Sequence, residues 1–99
     1  MLIISPKIRD KIGSDDHGGV TEREVRECFM VWDGRFCYDT NERHKTDPQT
    51  RWFVCESHIC RPLKIMYVDD GENVYLKSAY PATGEIKRIF EKYSQDQGE

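Results

Sequence analysis

Five cations and three acids lie between Asn41 and Lys64: Arg43, Lys45, Arg51, Arg61 and Lys64 against Glu42, Asp47 and Glu56. The strip is therefore +2 within a chain of formal net charge −3. A locally basic strip of this kind can hold a phosphodiester backbone. Within it, His44 is suited to move protons, and Arg43 or Arg51 to stabilise charge that develops on a phosphoryl group. The plain alternative for each residue is a solvated loop or strand edge, since isolated charges are usually found at the surface.

A second constellation is Lys64, Lys77 and Tyr80. The lysines fall on consecutive extended segments and can share a sheet face, where neighbours across strands stand ~5 Å apart and need an anionic partner or divergent tips. Together with Tyr80 they would form a phosphate platform; a lysine-decorated, water-facing sheet is the competing reading. Arg88 lies on an amphipathic segment where Glu85 and Arg88, and Lys87 and Glu91, have the spacing of helix-stabilising pairs. The alternative for Arg88 is that it reaches an active face. His17 sits in a glycine-rich loop and reads as structural or merely exposed.

Cys28, Cys37, Cys55 and Cys60 lack paired C-x2-C knuckles. A zinc site built from Cys37, Cys55, His58 and Cys60 is conceivable, because zinc wants soft ligands converging tetrahedrally. Buried or incidental thiols are the stronger reading, and no metal or cofactor is expected.

These residues must be positioned by a small scaffold. Met1–Ile4 reads as a strand. Ser5 caps a helix with Pro6 at its first position, and Gly13 ends it. Thr21 and Glu24 form a capping box, with Val20 and Val25 at the staple positions. Val25, Cys28, Phe29 and Trp32 continue that second helix on one apolar face. Strands follow at Arg35–Thr40 and Arg51–Glu56. Residues 62–68 and 73–79 form a hairpin whose turn is Asp69-Asp70-Gly71-Glu72. Ile86, Ile89, Phe90 and Tyr93 mark a last helix, and Trp32 and Trp52 belong to apolar patterns. The expected fold is α+β: a small antiparallel sheet of about four strands with helices packed on one face. Residues 1–93 make one domain, and 94–99 a flexible tail.

The 99 residues exclude large catalytic architectures, and no nucleotide loop, nucleophile elbow or H-E-x-x-H motif is present. Hydrophobic residues at 37% are few, yet the aromatic and aliphatic side chains suffice for a small core. No apolar run approaches the ~18 residues of a membrane span. The first residues lack the features of a signal peptide, so a soluble, cytoplasmic protein is expected.

His17-Gly-Gly-Val20-Thr21-Glu-Arg-Glu24-Val25 resembles the H-G-V-[ST]-x-x-E block of small BrnT-like proteins. Lys77-Ser-Ala-Tyr80-Pro-Ala-Thr83, followed by Glu85 and Tyr93, resembles their closing block. The blocks Asp39-Thr40…Arg43-His44-Lys45-Thr46-Asp47-Pro48…Trp52-Phe53 and Arg61-Pro-Leu-Lys64 are similar to a subgroup. The resemblance spans most of residues 17–93. It implies a RelE-like toxin of a type II toxin–antitoxin pair that cleaves messenger RNA, free or on the ribosome, without a metal. It also implies a small antitoxin as partner and permits oligomers. On this resemblance Arg43, His44 and Arg51 are the candidate catalytic residues, and Lys64, Lys77, Tyr80 and Arg88 the candidate RNA contacts. Similar sequences have carried the label ADP-ribosyl-(dinitrogen reductase) hydrolase, but Asp69-Asp70 reads as turn chemistry rather than a metal pair. The acidic net charge keeps a second reading in view: a non-catalytic module of the same fold that binds a protein.

Overall fold

Local side-chain chemistry starts each helix. The computed structural model describes residues 1–96 and, of His44, only the backbone. After strand β1 (Leu2–Ile3), Ser5 Oγ accepts the Ile8 amide at 3.2 Å and opens α1 (Pro6–Ile12). A short 3-10 turn at Asp15–His17 leads to α2 (Glu22–Val31). The Thr21–Glu24 capping box is complete: Thr21 Oγ1 accepts the Glu24 amide at 3.1 Å, and Glu24 Oε1 accepts the Thr21 amide at 3.2 Å.

Four longer strands follow: β2 (Arg35–Tyr38), β3 (Arg51–Glu56), β4 (Pro62–Asp69) and β5 (Val74–Pro81). Thr83 caps α3 (Gly84–Tyr93), and β6 (Gln95–Asp96) closes the described chain. The Asp70 carboxylate accepts the Glu72 and Asn73 amides at 2.9 and 2.7 Å, so the β4–β5 turn uses that acid for its own backbone.

The sheet has six strands in the order β1-β5-β4-β3-β2-β6, rather than about four. It is mixed rather than antiparallel, because β1 runs parallel to β5 while the other pairs are antiparallel. The two additional strands are two-residue edges. β6 pairs Gln95 with Phe36 and Asp96 with Arg35, so the start of the expected tail is a sheet edge; residues 97–99 lie outside the described residues.

Helices cover both faces of the sheet, not one. On one face α1 and α2 bury Ile12, Val25 and Cys28 against Phe53, Leu63, Ile65, Tyr67 and Leu76. Trp32 stacks on Phe53 with centroids 4.3 Å apart, and Phe29 meets both rings edge-on. On the other face Cys37, Trp52 and Met66 pack with Val54, Tyr80 and the α3 residues Ile86 and Phe90. Alternation along β3 separates the faces, because Trp52 and Val54 point away from Phe53 and Cys55. The radius of gyration, 12.5 Å, is close to the ~13 Å of a compact chain of this length. Among the described residues no helix is long and apolar enough to cross a membrane.

Candidate anion-binding cavity

The hairpin carries a β-bulge. Met66 pairs with Ser78 and Tyr67 with Leu76, which leaves Lys77 as the extra residue between them. A bulge disrupts the ladder locally and re-aims a side chain. The Lys77 carbonyl accepts from Lys11 Nζ at 3.4 Å, which ties the last turn of α1 to the bulge. Beside it, the 3-10 turn brings His17 to Tyr80, with the rings edge-to-face at 6.5 Å. His17 Nδ1 lies 3.3 Å from Ser14 Oγ.

The loop between β2 and β3 forms the opposite wall. Asn41 Oδ1 accepts the Arg43 amide at 2.9 Å and starts the short 3-10 turn Glu42–His44. Thr46 Oγ1 and Thr50 Oγ1 are 2.7 Å apart, and Gln49 Nε2 donates to the Asp39 carbonyl at 3.0 Å. These contacts hold the loop over the sheet.

Between the two walls lies a cavity of about 340 Å³. Its cationic lining is Lys11, Arg43, Lys45 and Lys77, joined by His17, Thr46, Thr50, Ser78 and Tyr80, over a floor that includes Met66. No carboxylate is among the described residues that line it. The chain as a whole is acidic, so this wall concentrates positive charge against the overall balance. A wall of ammonium, guanidinium, imidazole and hydroxyl groups offers many donors and complements an oxyanion.

The structure brings three of the sequence-derived residues to this cavity: Arg43, Lys77 and Tyr80. The His44 side chain lies outside the described residues. Lys64 stands one step along the same sheet face, where its Nζ sits 4.6 Å from the centre of the Trp52 ring and 5.7 Å from that of Tyr80. It pairs with Tyr80 across the hairpin, while the bulge carries Lys77 out of the regular alternation. Lys64 borders a separate groove along α3 with Trp52, Ile89 and Tyr93.

Arg51 is elsewhere. Odd-numbered residues of β3 face α2, and the Arg51 guanidinium lies over Phe36 at 4.5 Å and Tyr38 at 5.6 Å. It does not line the cavity. Arg88 is exposed on α3 and also stays outside the lining.

His17, Lys11 and Lys45 were not placed together by sequence reasoning. The available signal was the block that joins His17 to the capping box, which fixes the helix that follows the loop. The loop itself is clamped. Arg61 donates to the Gly18 and Gly19 carbonyls at 2.7 and 3.0 Å and grips both Glu24 oxygens at 2.8 and 2.7 Å. Arg61 therefore neutralises a buried acid and positions the His17 loop, rather than extending a basic surface strip. The Arg61 hydrogen bonds hold the Glu24 carboxyl down to about 2, against the opposing effect of burial.

The four residues weighed for zinc do not converge. Cys37 packs with Trp52 and Met66, whereas Cys55 points to the α2 side and meets Cys28. His58 Nδ1 pairs with Glu27 Oε2 at 2.8 Å. Among the described residues no three His, Cys, Asp or Glu side chains gather into a metal-binding set.

Comparison with protein-family models, with curated proteins and with solved structures gives no match for this chain.

Proposed function

We propose that the chain is a toxin-like RNA-binding domain that holds a phosphodiester in the Arg43–Lys77 cavity and cleaves the RNA strand as a ribonuclease. The observation that carries this reading is the lining itself: four cations and an imidazole, with no acid among the described lining residues. A volume of about 340 Å³ accommodates a phosphate together with part of its ribose.

Lys11, Arg43, Lys45 and Lys77 neutralise the phosphate and the charge that builds on it as the bond breaks. With Nδ1 beside Ser14 Oγ, the His17 Nε2 is the nitrogen available to take a proton from a ribose hydroxyl. Tyr80, edge-on to His17, orients the imidazole and offers a hydroxyl to the substrate. His44 follows Arg43 in the same short turn and is the second candidate for proton transfer. The resemblance of the sequence to BrnT-like toxins supports RNA as the anion, catalysis without a metal, and an antitoxin as the neutralising partner.

The test is expression from a tightly repressed bacterial promoter, beside His17→Ala, His44→Ala and Arg43→Ala variants of confirmed fold. Growth arrest with new RNA ends is expected for the parent chain, and its loss in Arg43→Ala and in one histidine variant. Purified protein should cleave RNA in the presence of a chelator. Binding to a short RNA should fall in Arg43→Ala, with the salt slope reduced by about one. Normal growth, intact RNA and salt-independent binding by the folded parent chain would refute the reading.

A further inference from the structure

Away from the cavity, the α2 and β3 elements bring two thiols into contact across the core. The Cys28 thiol donates to the Cys55 carbonyl at 3.8 Å, and the Cys55 thiol donates to the Cys28 carbonyl at 3.9 Å. Both cysteines are free. Cys28 is buried, whereas Cys55, next to the last residue of β3, is half-buried. Cys55 is thus the more accessible residue of the pair, and Cys28 the enclosed one. This is the arrangement of an attacking and a resolving cysteine.

We propose that Cys28 and Cys55 form a reversible oxidation site that reduces a hydroperoxide and closes an intrachain disulfide between α2 and β3. The Cys55 thiolate attacks the outer oxygen of the peroxide, and the O–O bond breaks. Cys55 becomes a sulfenic acid, and the departing alkoxide, or hydroxide, takes a proton. Cys28 sulfur then attacks the Cys55 sulfur, its proton leaves with the sulfenic oxygen, and water is released. In sum, two thiols and one hydroperoxide give one disulfide, one alcohol and one water: sulfur is oxidised and the peroxide oxygen reduced.

The environment matches this order. When Cys55 ionises, the Cys28 S–H turns from the Cys55 carbonyl to its sulfur; this hydrogen bond draws the Cys55 pKa below the ordinary thiol range, while the same contact and burial push the Cys28 thiol up. Once Cys55 carries oxygen instead of charge, the thiolate that held the Cys28 proton in place is gone.

The test treats the folded wild-type chain with hydrogen peroxide, blocks the remaining thiols and maps peptides. Trypsin leaves Cys55 and Cys60 in one peptide, so a second cut after Glu56 by a glutamate-specific protease is needed to separate them. The expected result is a Cys28–Cys55 linked peptide, a mass lower by about 2 Da before digestion, and a fall in titratable thiols from four to two, all reversed by a dithiol reductant. A Cys37→Ser/Cys60→Ser variant should form the same link. Cys55→Ser should leave Cys28 reduced. Four intact thiols after treatment, a Cys55–Cys60 link, or a dimer joined through the exposed Cys60 would each overturn the proposal.

Discussion

The Glu24–Arg61 pair makes the stability of this domain depend on pH in a defined window. Glu24 is 2% exposed, and its carboxyl falls from an ordinary 4.5 to about 2 because Arg61 grips both oxygens. A carboxylate whose pKa is depressed in the folded state stabilises that state above its unfolded value, and the contribution is lost as pH falls toward the folded value. Here the stabilisation is complete above about pH 5 and disappears between about pH 4.5 and pH 2. At ~1.36 kcal/mol for each pH unit of that gap, the pair contributes about 3 kcal/mol at neutral pH. About 2 kcal/mol of this is gone by pH 3.

The perturbation that isolates this group is Glu24→Gln, which keeps the shape and removes the charge. Urea unfolding at pH 7 should show a midpoint about 2 M lower for the variant, taking a slope of ~1.5 kcal/mol/M. Lowering the pH titrates every other carboxylate in both proteins, so the informative quantity is the difference between them. That difference should shrink from about 3 kcal/mol at pH 7 to under ~1 kcal/mol near pH 2.5. Amide exchange at Gly18 to Val20 should also speed up in the variant, because Arg61 loses its anchor while still contacting the Gly18 and Gly19 carbonyls. A difference that stays constant from pH 7 to pH 2.5, or a variant within ~0.5 kcal/mol of wild type at pH 7, would refute the assignment.

Other perturbations read the scaffold around the cavity. Gly18 has φ +83°, and an added Cβ would lie 2.6 Å from Pro81 Cδ; Gly18→Ala should lower the melting temperature by roughly 5–15 °C, a loss of about 1–3 kcal/mol. Gly19 has φ +61° but open space around it, so Gly19→Ala should cost less than Gly18→Ala in the same melt. Phe53→Ala removes a fully buried ring from the Phe29–Trp32–Tyr67 cluster and should cost about 3–5 kcal/mol by denaturant titration. Thr83→Ala deletes the α3 cap to the Ile86 amide and should cost about 1 kcal/mol, with RNA binding unchanged because Thr83 is outside the cavity lining.

Much of the scaffold is legible in the chain because its signals are local. Ser5 before Pro6, the Thr21/Glu24 box and the Asp70 turn satisfy nearby backbone donors. They act whatever the rest of the molecule does. The residues Trp52–Cys55 of β3 are apolar at four consecutive positions. A strand that is apolar at consecutive positions must be covered on both faces, and α3 provides the second cover. The expectation of helices on one face missed this because an amphipathic helix shows which of its own sides is apolar, not which side of a sheet it will meet.

The cavity is a tertiary object. Lys11, His17, Arg43 and Lys77 come from four separate segments, and no periodicity relates them. Their meeting depends on a bulge that turns Lys77 out of register, on a loop clamped by Arg61, and on Asn41 starting the turn that carries Arg43. The sequence alone determined the helix starts, the strands other than β6 and the local positive charge near Arg43, through capping, alternation and composition. Only the folded chain decided that Arg51 lies over Phe36 and Tyr38, that Arg61 binds Glu24, and that His17 faces Tyr80. Those outcomes rest on packing and on burial of charge between distant segments, where the low dielectric makes a partner for Glu24 obligatory.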